Sequence, residues 1–214
     1  MWHLPLVDAD SAMMVLLWAC APDVRFATEV VDAPGADPTV DFGDPRLAAN
    51  GVPASISGGS TDVYSLTAER PWLTLGFEGS RILNVDGPDF VVFENPFVIG
   101  AGPDVFVDPV VVEVSADGMD FVPFPHLAPV AYTWDPEAWF GFAGVTPTML
   151  DLAPADDPAS GGDRFDLDQL DESPIKDQIM REGILQIRLS PGGPTDPIAD
   201  GPDIDAVYAW SFDD

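Results

Sequence analysis

The chain has 214 residues, 46% of them apolar, enough to bury the core of one domain of the larger kind. It carries 37 acids against 8 lysines and arginines, a formal net charge of −29 with Asp the dominant acid. That balance excludes nucleic acid and the face of an anionic bilayer as electrostatic partners, and leaves divalent cations, high-salt tolerance or plain solubility.

At the N-terminus, residues 12–19 (AMMVLLWA) form an apolar run that ends at Cys20. A membrane span needs about 20 apolar residues, so the run suits the h-region of a signal peptide instead. Leu17, Trp18, Ala19 and Cys20 resemble a bacterial lipobox, which implies that the Cys20 thiol is lipidated and becomes the mature N-terminus. Residues 1–11 carry Asp8 and Asp10 and no Lys or Arg, the opposite sign from an ordinary n-region. The competing reading is a buried apolar segment with a core cysteine. The expected organisation is a lipoprotein-type signal over 1–19, a tether and first loop over 20–40, and one domain over 41–214.

Beyond Asn50, strand patterns arrive at regular spacing. Trp72–Phe77 alternates, with Leu73, Leu75 and Phe77 on one face. Arg81–Val85 and Phe90–Phe93 follow, separated by the turn DGPD. Val110, Val112 and Val114 share a face of Pro109–Ser115, and the ADG turn at 116–118 leads into Phe121–Phe124 as a hairpin. One short helix is predicted after Ser173, with Ser173 as cap, Pro174 in the first turn and Gly183 as terminator. Ile184–Leu189 and Ile204–Trp210 complete the set. Short alternating strands, frequent Gly and Pro turns and few short helices predict an all-β domain, a two-sheet sandwich or jelly roll.

The interval 125–160 has few clear strands but holds YTWDPEAWFGF, with Tyr132, Trp134 and Trp139 close together. Aromatic side chains on a long loop either form a platform for a sugar or a protein, or pin the loop to the sheet as a satellite core.

Three acidic clusters stand out. The first holds Asp86, Asp89 and Glu94, the second Asp163, Asp166, Asp168 and Asp171, the third Asp200, Asp203 and Asp205, and seven of them (Asp89, Glu94, Asp163, Asp166, Asp168, Asp203 and Asp205) are the candidate metal ligands. Ca²⁺ takes six to eight oxygens from carboxylates, carbonyls and water, and Asp in loops beside Gly and Pro turns supplies them. The spacing is not that of an EF-hand, and Asp is equally a favoured turn and cap residue. Glu94, at the end of an apolar strand, needs Arg, a backbone N–H or a metal as partner, with Arg164 and Arg188 as the candidate arginines. Other chemistries are poorly served. Cys20 is the only thiol, which rules out an internal disulfide and a Cys-rich zinc site. His126 is the only imidazole besides His3, and neither a nucleophile elbow nor a P-loop is present. A pair of carboxylates suits glycoside hydrolysis, but among 37 acids a pair at the required spacing carries no specificity.

Taken in order, WLTLGFEG, DGPDFVVFENPF, VEVSADGMDFVPFP, GGDRFDLDQL and DIDAVYA resemble a family of bacterial secreted "cell surface proteins" of the myxobacterial type. The resemblance runs from about Asp41 to Trp210. It departs at the end, where Ile204 stands for Phe and Ala206 follows Asp205. It implies a galactose-binding-like jelly roll, akin to discoidin and carbohydrate-binding modules, and by analogy a structural Ca²⁺. It implies no catalytic residues. The expected function is a lipid-anchored, extracytoplasmic, non-catalytic surface module, in the outer membrane or at the cell surface. Its partner would be a glycan or an envelope protein, with no nucleic acid, and with the membrane met only through the anchor. The alternatives are a carboxylate-dependent glycan hydrolase and a purely structural envelope protein.

Overall fold

The computed structural model describes residues 25–50, 62–95, 97–98, 104–149, 153–193 and 201–213. The signal segment 1–19 and Cys20 lie outside the described residues. In chain order the strands are β1 (Arg25–Phe26), β2 (Glu29–Asp32), β3 (Tyr64–Ser65), β4 (Leu73–Gly76), β5 (Phe90–Glu94) and β6 (Phe97–Val98). They continue with β7 (Val105–Phe106), β8 (Val110–Ser115), β9 (Val122–Pro123), β10 (Asp163–Phe165), β11 (Gln186–Pro191) and β12 (Asp203–Ala209). The helix α1 spans Pro174–Glu182.

The strands make two main antiparallel sheets in a sandwich. One has the order β1-β12-β5-β10, with β3 also paired to β12; the other runs β2-β4-β11-β8-β9. β6 and β7 form a small ribbon apart from both. Arg25–Phe26 and Glu29–Asp32, in the stretch read as tether and first loop, supply an edge strand to each sheet. Arg81–Val85, expected as a strand, is instead a crossing point. Ile82 alone bridges to Ile184 and to Phe212.

The alternation read in the sequence decides which side chains face the space between the sheets. Leu73 and Leu75 of β4, Val110, Val112 and Val114 of β8, and Ile187 and Leu189 of β11 all enter the main core. β5 differs because it is buried on both faces. Phe90 and Val92 point into the main core, while Val91 and Phe93 join Ala155, Ala206 and Tyr208 in a second cluster on the outer side. The segment around Ala155 therefore roofs the sheet over β5 and β12. Each Phe or Val so buried contributes about 1.5–3 kcal/mol.

Helix α1 follows its sequence cues. The Ser173 side chain accepts a hydrogen bond from the Lys176 N–H, and Gly183 ends the helix at φ +79°. Ile179 is fully buried and Ile175 packs beside it. Lys176, the single lysine, donates from Nζ to the carbonyls of Asp168 and Leu170 and to Glu172 Oε1, so it locks the acidic loop 166–172 onto the helix.

The arginines are used in another way. Arg25 lies over Phe212, Arg70 over Tyr64, Arg164 over Trp210, and Arg188 over Phe121 at 3.6 Å and Trp72 at 5.8 Å.

Candidate functional site

β5 carries an acid at each end. At its entrance, Asp89 is fully buried and both carboxylate oxygens are engaged. Oδ1 accepts from the Val85 N–H at 2.7 Å and Oδ2 from the Leu167 N–H at 2.7 Å. Asp89 thus joins the DGPD turn to the loop after β10. Burial is the main force on its carboxyl and pushes it up to about 6, against the pull of those two N–H groups and with the help of Asp166 and Asp168. Those two neighbours have jobs of their own. Asp166 caps a short 3₁₀ turn by accepting from the Asp168 N–H, and Asp168 accepts from Asn84 Nδ2.

At the exit of β5 a different arrangement forms. Glu94 is 2% exposed. Its Oε1 accepts from the Asp203 N–H at 2.8 Å, and its Oε2 is buried with no hydrogen-bond partner. Its carboxyl is held well above the usual range, first by burial and then by the negative charges of Asp108, Asp203 and Asp163. The expected arginine partners are elsewhere. Arg164 donates to the Asp157 carbonyl, and Arg188 lies over Phe121 with its Nε directed at Thr74. The correction has a simple cause: both arginines already cover aromatic rings on the outer faces of the sheets.

Several chain segments meet around Glu94. Val110 and Ala143 exchange N–H···O bonds, which brings Asp108 against Gly144. A β-carbon on Gly144 would stand 2.1 Å from the Asp108 carbonyl oxygen and 3.4 Å from Glu94 Oε2. The positive φ of Gly144, +78°, lets the chain make this approach. Asp163, at the start of β10, accepts on Oδ2 from the N–H groups of Val145 and Thr146. Burial raises the Asp163 carboxyl to about 6, partly offset by these hydrogen bonds. Asp203 opens β12 and accepts from the Ser65 hydroxyl. Asp205 sits at a register shift of β12 against β5 and is fully buried. Such a bulge re-aims a side chain relative to plain alternation.

The seven acids singled out in the sequence therefore separate. Glu94, Asp163 and Asp203 come together, Asp89, Asp166 and Asp168 gather at the opposite end of β5, and Asp205 occupies the bulge. Asp108 joins the Glu94 group without any cue in the sequence beyond its place between two apolar runs, VFV and PVVV. Among the described residues no three Asp, Glu, His or Cys side chains form a ready-made metal cage.

The aromatic loop also divides. Trp139 is 2% exposed, packs with Val105, Val107 and Phe142, and donates from Nε1 to the Thr133 carbonyl. The Tyr132 hydroxyl donates to the Val107 carbonyl and accepts from its N–H. Both rings pin the loop. Trp134, 44% exposed, and Phe140, 65% exposed, present their faces outward. Phe140 lines a cleft of about 410 Å³, walled by Phe124, Trp139 and Phe142, with Glu137, Gln169 and Arg164 among its polar residues. Val145 and Asp163 line it too, so the cleft borders the acidic group around Glu94.

No protein-family model matches the sequence, and no curated protein matches it.

Proposed function

We propose that this chain is a non-catalytic binding module displayed outside the cytoplasm, anchored to an envelope membrane through a lipid on Cys20, and directed at a glycan. The observation that carries the ligand reading is the cleft beside Phe140. A ring left 65% exposed next to a largely apolar cleft, with an amide and a carboxylate within it, matches what a sugar needs. Sugar C–H faces stack on aromatic rings, and hydroxyls take hydrogen bonds from amides and carboxylates. Two of the buried carboxylates speak for binding over hydrolysis. Asp89 and Asp163 are engaged by main-chain N–H groups, as a structural acid is, and neither is presented as a free acid–base partner. The anchor reading rests on the placement of Cys20 directly after the apolar run 12–19.

Two experiments test this. A Cys20→Ala chain should move from the membrane fraction to the soluble fraction; unchanged fractionation refutes lipidation. The same soluble chain, displayed on a glycan array, should bind at least one glycan, and Phe140→Ala should weaken that binding by about tenfold while leaving the melting temperature in place. An array with no hits, or a hit indifferent to Phe140→Ala, overturns the glycan assignment. Hydrolysis products from a hit would move the protein to the enzyme class.

A further inference from the structure

The cleft beside Phe140 is built from parts that the fold holds in place. Leu127 and Phe140 exchange both main-chain hydrogen bonds, at 2.9 and 3.2 Å, so the exposed ring stands beside Leu127 on one face. Glu137 sits on a 3₁₀ turn, Pro136–Ala138, capped by the Asp135 side chain. Gln169 ends a second 3₁₀ turn, Leu167–Gln169, capped by Asp166. Its neighbours' carbonyls, those of Asp168 and Leu170, are both held by Lys176 Nζ. Glu137 and Gln169 are exposed, and no described residue bonds to the carboxylate of the one or the amide of the other. Both line the cleft with their polar ends uncommitted.

The charge of the cleft is one-sided. Glu137 and Asp163 line it, and Glu94 stands close enough to Asp163 for the two charges to repel. Arg164 is the one cationic residue among the described lining residues, but alternation turns its side chain away. Asp163 and Phe165 pair with Val92 and Phe90, on the face of the main core, whereas Arg164 pairs with Val91 on the outer face. There its guanidinium lies over Trp210 and donates to the Asp157 carbonyl. What remains is a set of aromatic walls beside carboxylates, in a chain of formal net charge −29. Such a cleft repels an anion and concentrates a cation, and aromatic faces attract an ammonium group further.

We propose that the ligand of this cleft carries an ammonium group, and that the glycan it takes is built of hexosamine with the amine free rather than acetylated. This rests on the glycan assignment and narrows it. Glu137 supplies the counter-charge, the Phe140 ring takes the C–H face of the sugar, and the Gln169 amide, donor and acceptor both, meets a hydroxyl. Acetylation removes the charge that Glu137 and the aromatic walls select. Uronic and sialic acids are repelled by the same carboxylates.

The test is calorimetric titration of the soluble Cys20→Ala chain with two probes, an oligomer of glucosamine and its fully N-acetylated counterpart, at about 0.05 M and about 0.5 M NaCl. The free-amine oligomer should bind about tenfold tighter at low salt and lose most of that advantage at high salt. Glu137→Gln, at an exposed position, should keep the melting temperature, weaken the free-amine oligomer about threefold and leave the acetylated one unchanged. Glu78→Gln, in a separate cleft with Arg25 and Phe26, should change neither. An acetylated oligomer that binds as tightly as the free amine overturns the inference and leaves the glycan assignment standing. So does a preference for the amine that survives both Glu137→Gln and Phe140→Ala, which is general attraction to an acidic surface. A chain that binds neither oligomer also overturns the inference, and hits or their absence among the other glycans of the array decide the broader assignment separately.

Discussion

Asp89, just before β5, and Glu94, its last residue, stand five residues apart, both buried, and they differ in what surrounds the carboxylate. At the entrance of β5 each oxygen of Asp89 takes a main-chain N–H, so the acid serves as a connector between two loops. At the exit, Glu94 takes a single N–H and otherwise faces its own kind of charge. The contrast separates two uses of acid in a strongly acidic chain. One replaces a missing main-chain acceptor and is complete as it stands. The other leaves one buried oxygen without a hydrogen-bond partner.

Breaking the wall of the Glu94 group should have the largest effect. Gly144→Ala places a methyl group against the Asp108 carbonyl in a left-handed backbone conformation, and should cost about 4 kcal/mol in denaturant unfolding. At the other end of β5, Asp89→Ala leaves the N–H groups of Val85 and Leu167 buried without acceptors and should cost about 3 kcal/mol. Asp89→Asn keeps one good acceptor and should cost about 1 kcal/mol. If the two Asp89 variants cost the same, the connector role is wrong.

A pH series of thermal melts sharpens the same contrast. The carboxyls of Asp89 and Asp163 sit at about 6 in the folded protein against an ordinary 3.8, so the folded state holds these protons more tightly than the unfolded chain. Their contribution is full below about pH 4 and is lost as pH rises through about 6, and Glu94, raised well above its ordinary value by burial, acts with the same sign. Asp37, Asp44 and Asp117 are held below the ordinary value by local hydrogen bonds and act with the opposite sign, losing stability as pH falls below about 4. Tm should therefore peak between about pH 4 and 6 and decline above it. Glu94→Gln should flatten that decline, the smallest of these effects.

Much of the fold was legible because it rests on patterns that one segment can carry. The alternation of β4, β8 and β11 assigns each side chain to a face without knowledge of the neighbour, and the cap and stop of α1 lie within a dozen residues. Arg81–Val85 has the composition of a strand, but it crosses between β-elements and forms β-bridges only at Ile82. The site was half legible. Glu94, Asp163 and Asp203 belong to noticeable motifs, yet nothing in those motifs says that Asp89 lies at the other end of the strand with its oxygens engaged. Asp108 needed the Val110–Ala143 bridge to bring it in, a contact across more than thirty residues of chain. In the aromatic loop, adjacent Trp139 and Phe140 have opposite fates, one pinned by its N–H to the Thr133 carbonyl, the other left to solvent. Composition does not distinguish them.

The arginines laid over aromatic rings have a consequence for the molecule in salt. Their attraction to the rings is short-ranged and largely insensitive to dissolved ions. The ion pairs Arg46–Asp44, Lys176–Glu172 and Arg181–Glu182 are local contacts between residues no more than four positions apart, so ions in solution have little cohesion to take away there. What ions do reach is the long-range repulsion among the surplus carboxylates, which a Debye length of about 10 Å at 0.1 M already shortens. A folded state built this way grows firmer as salt is added.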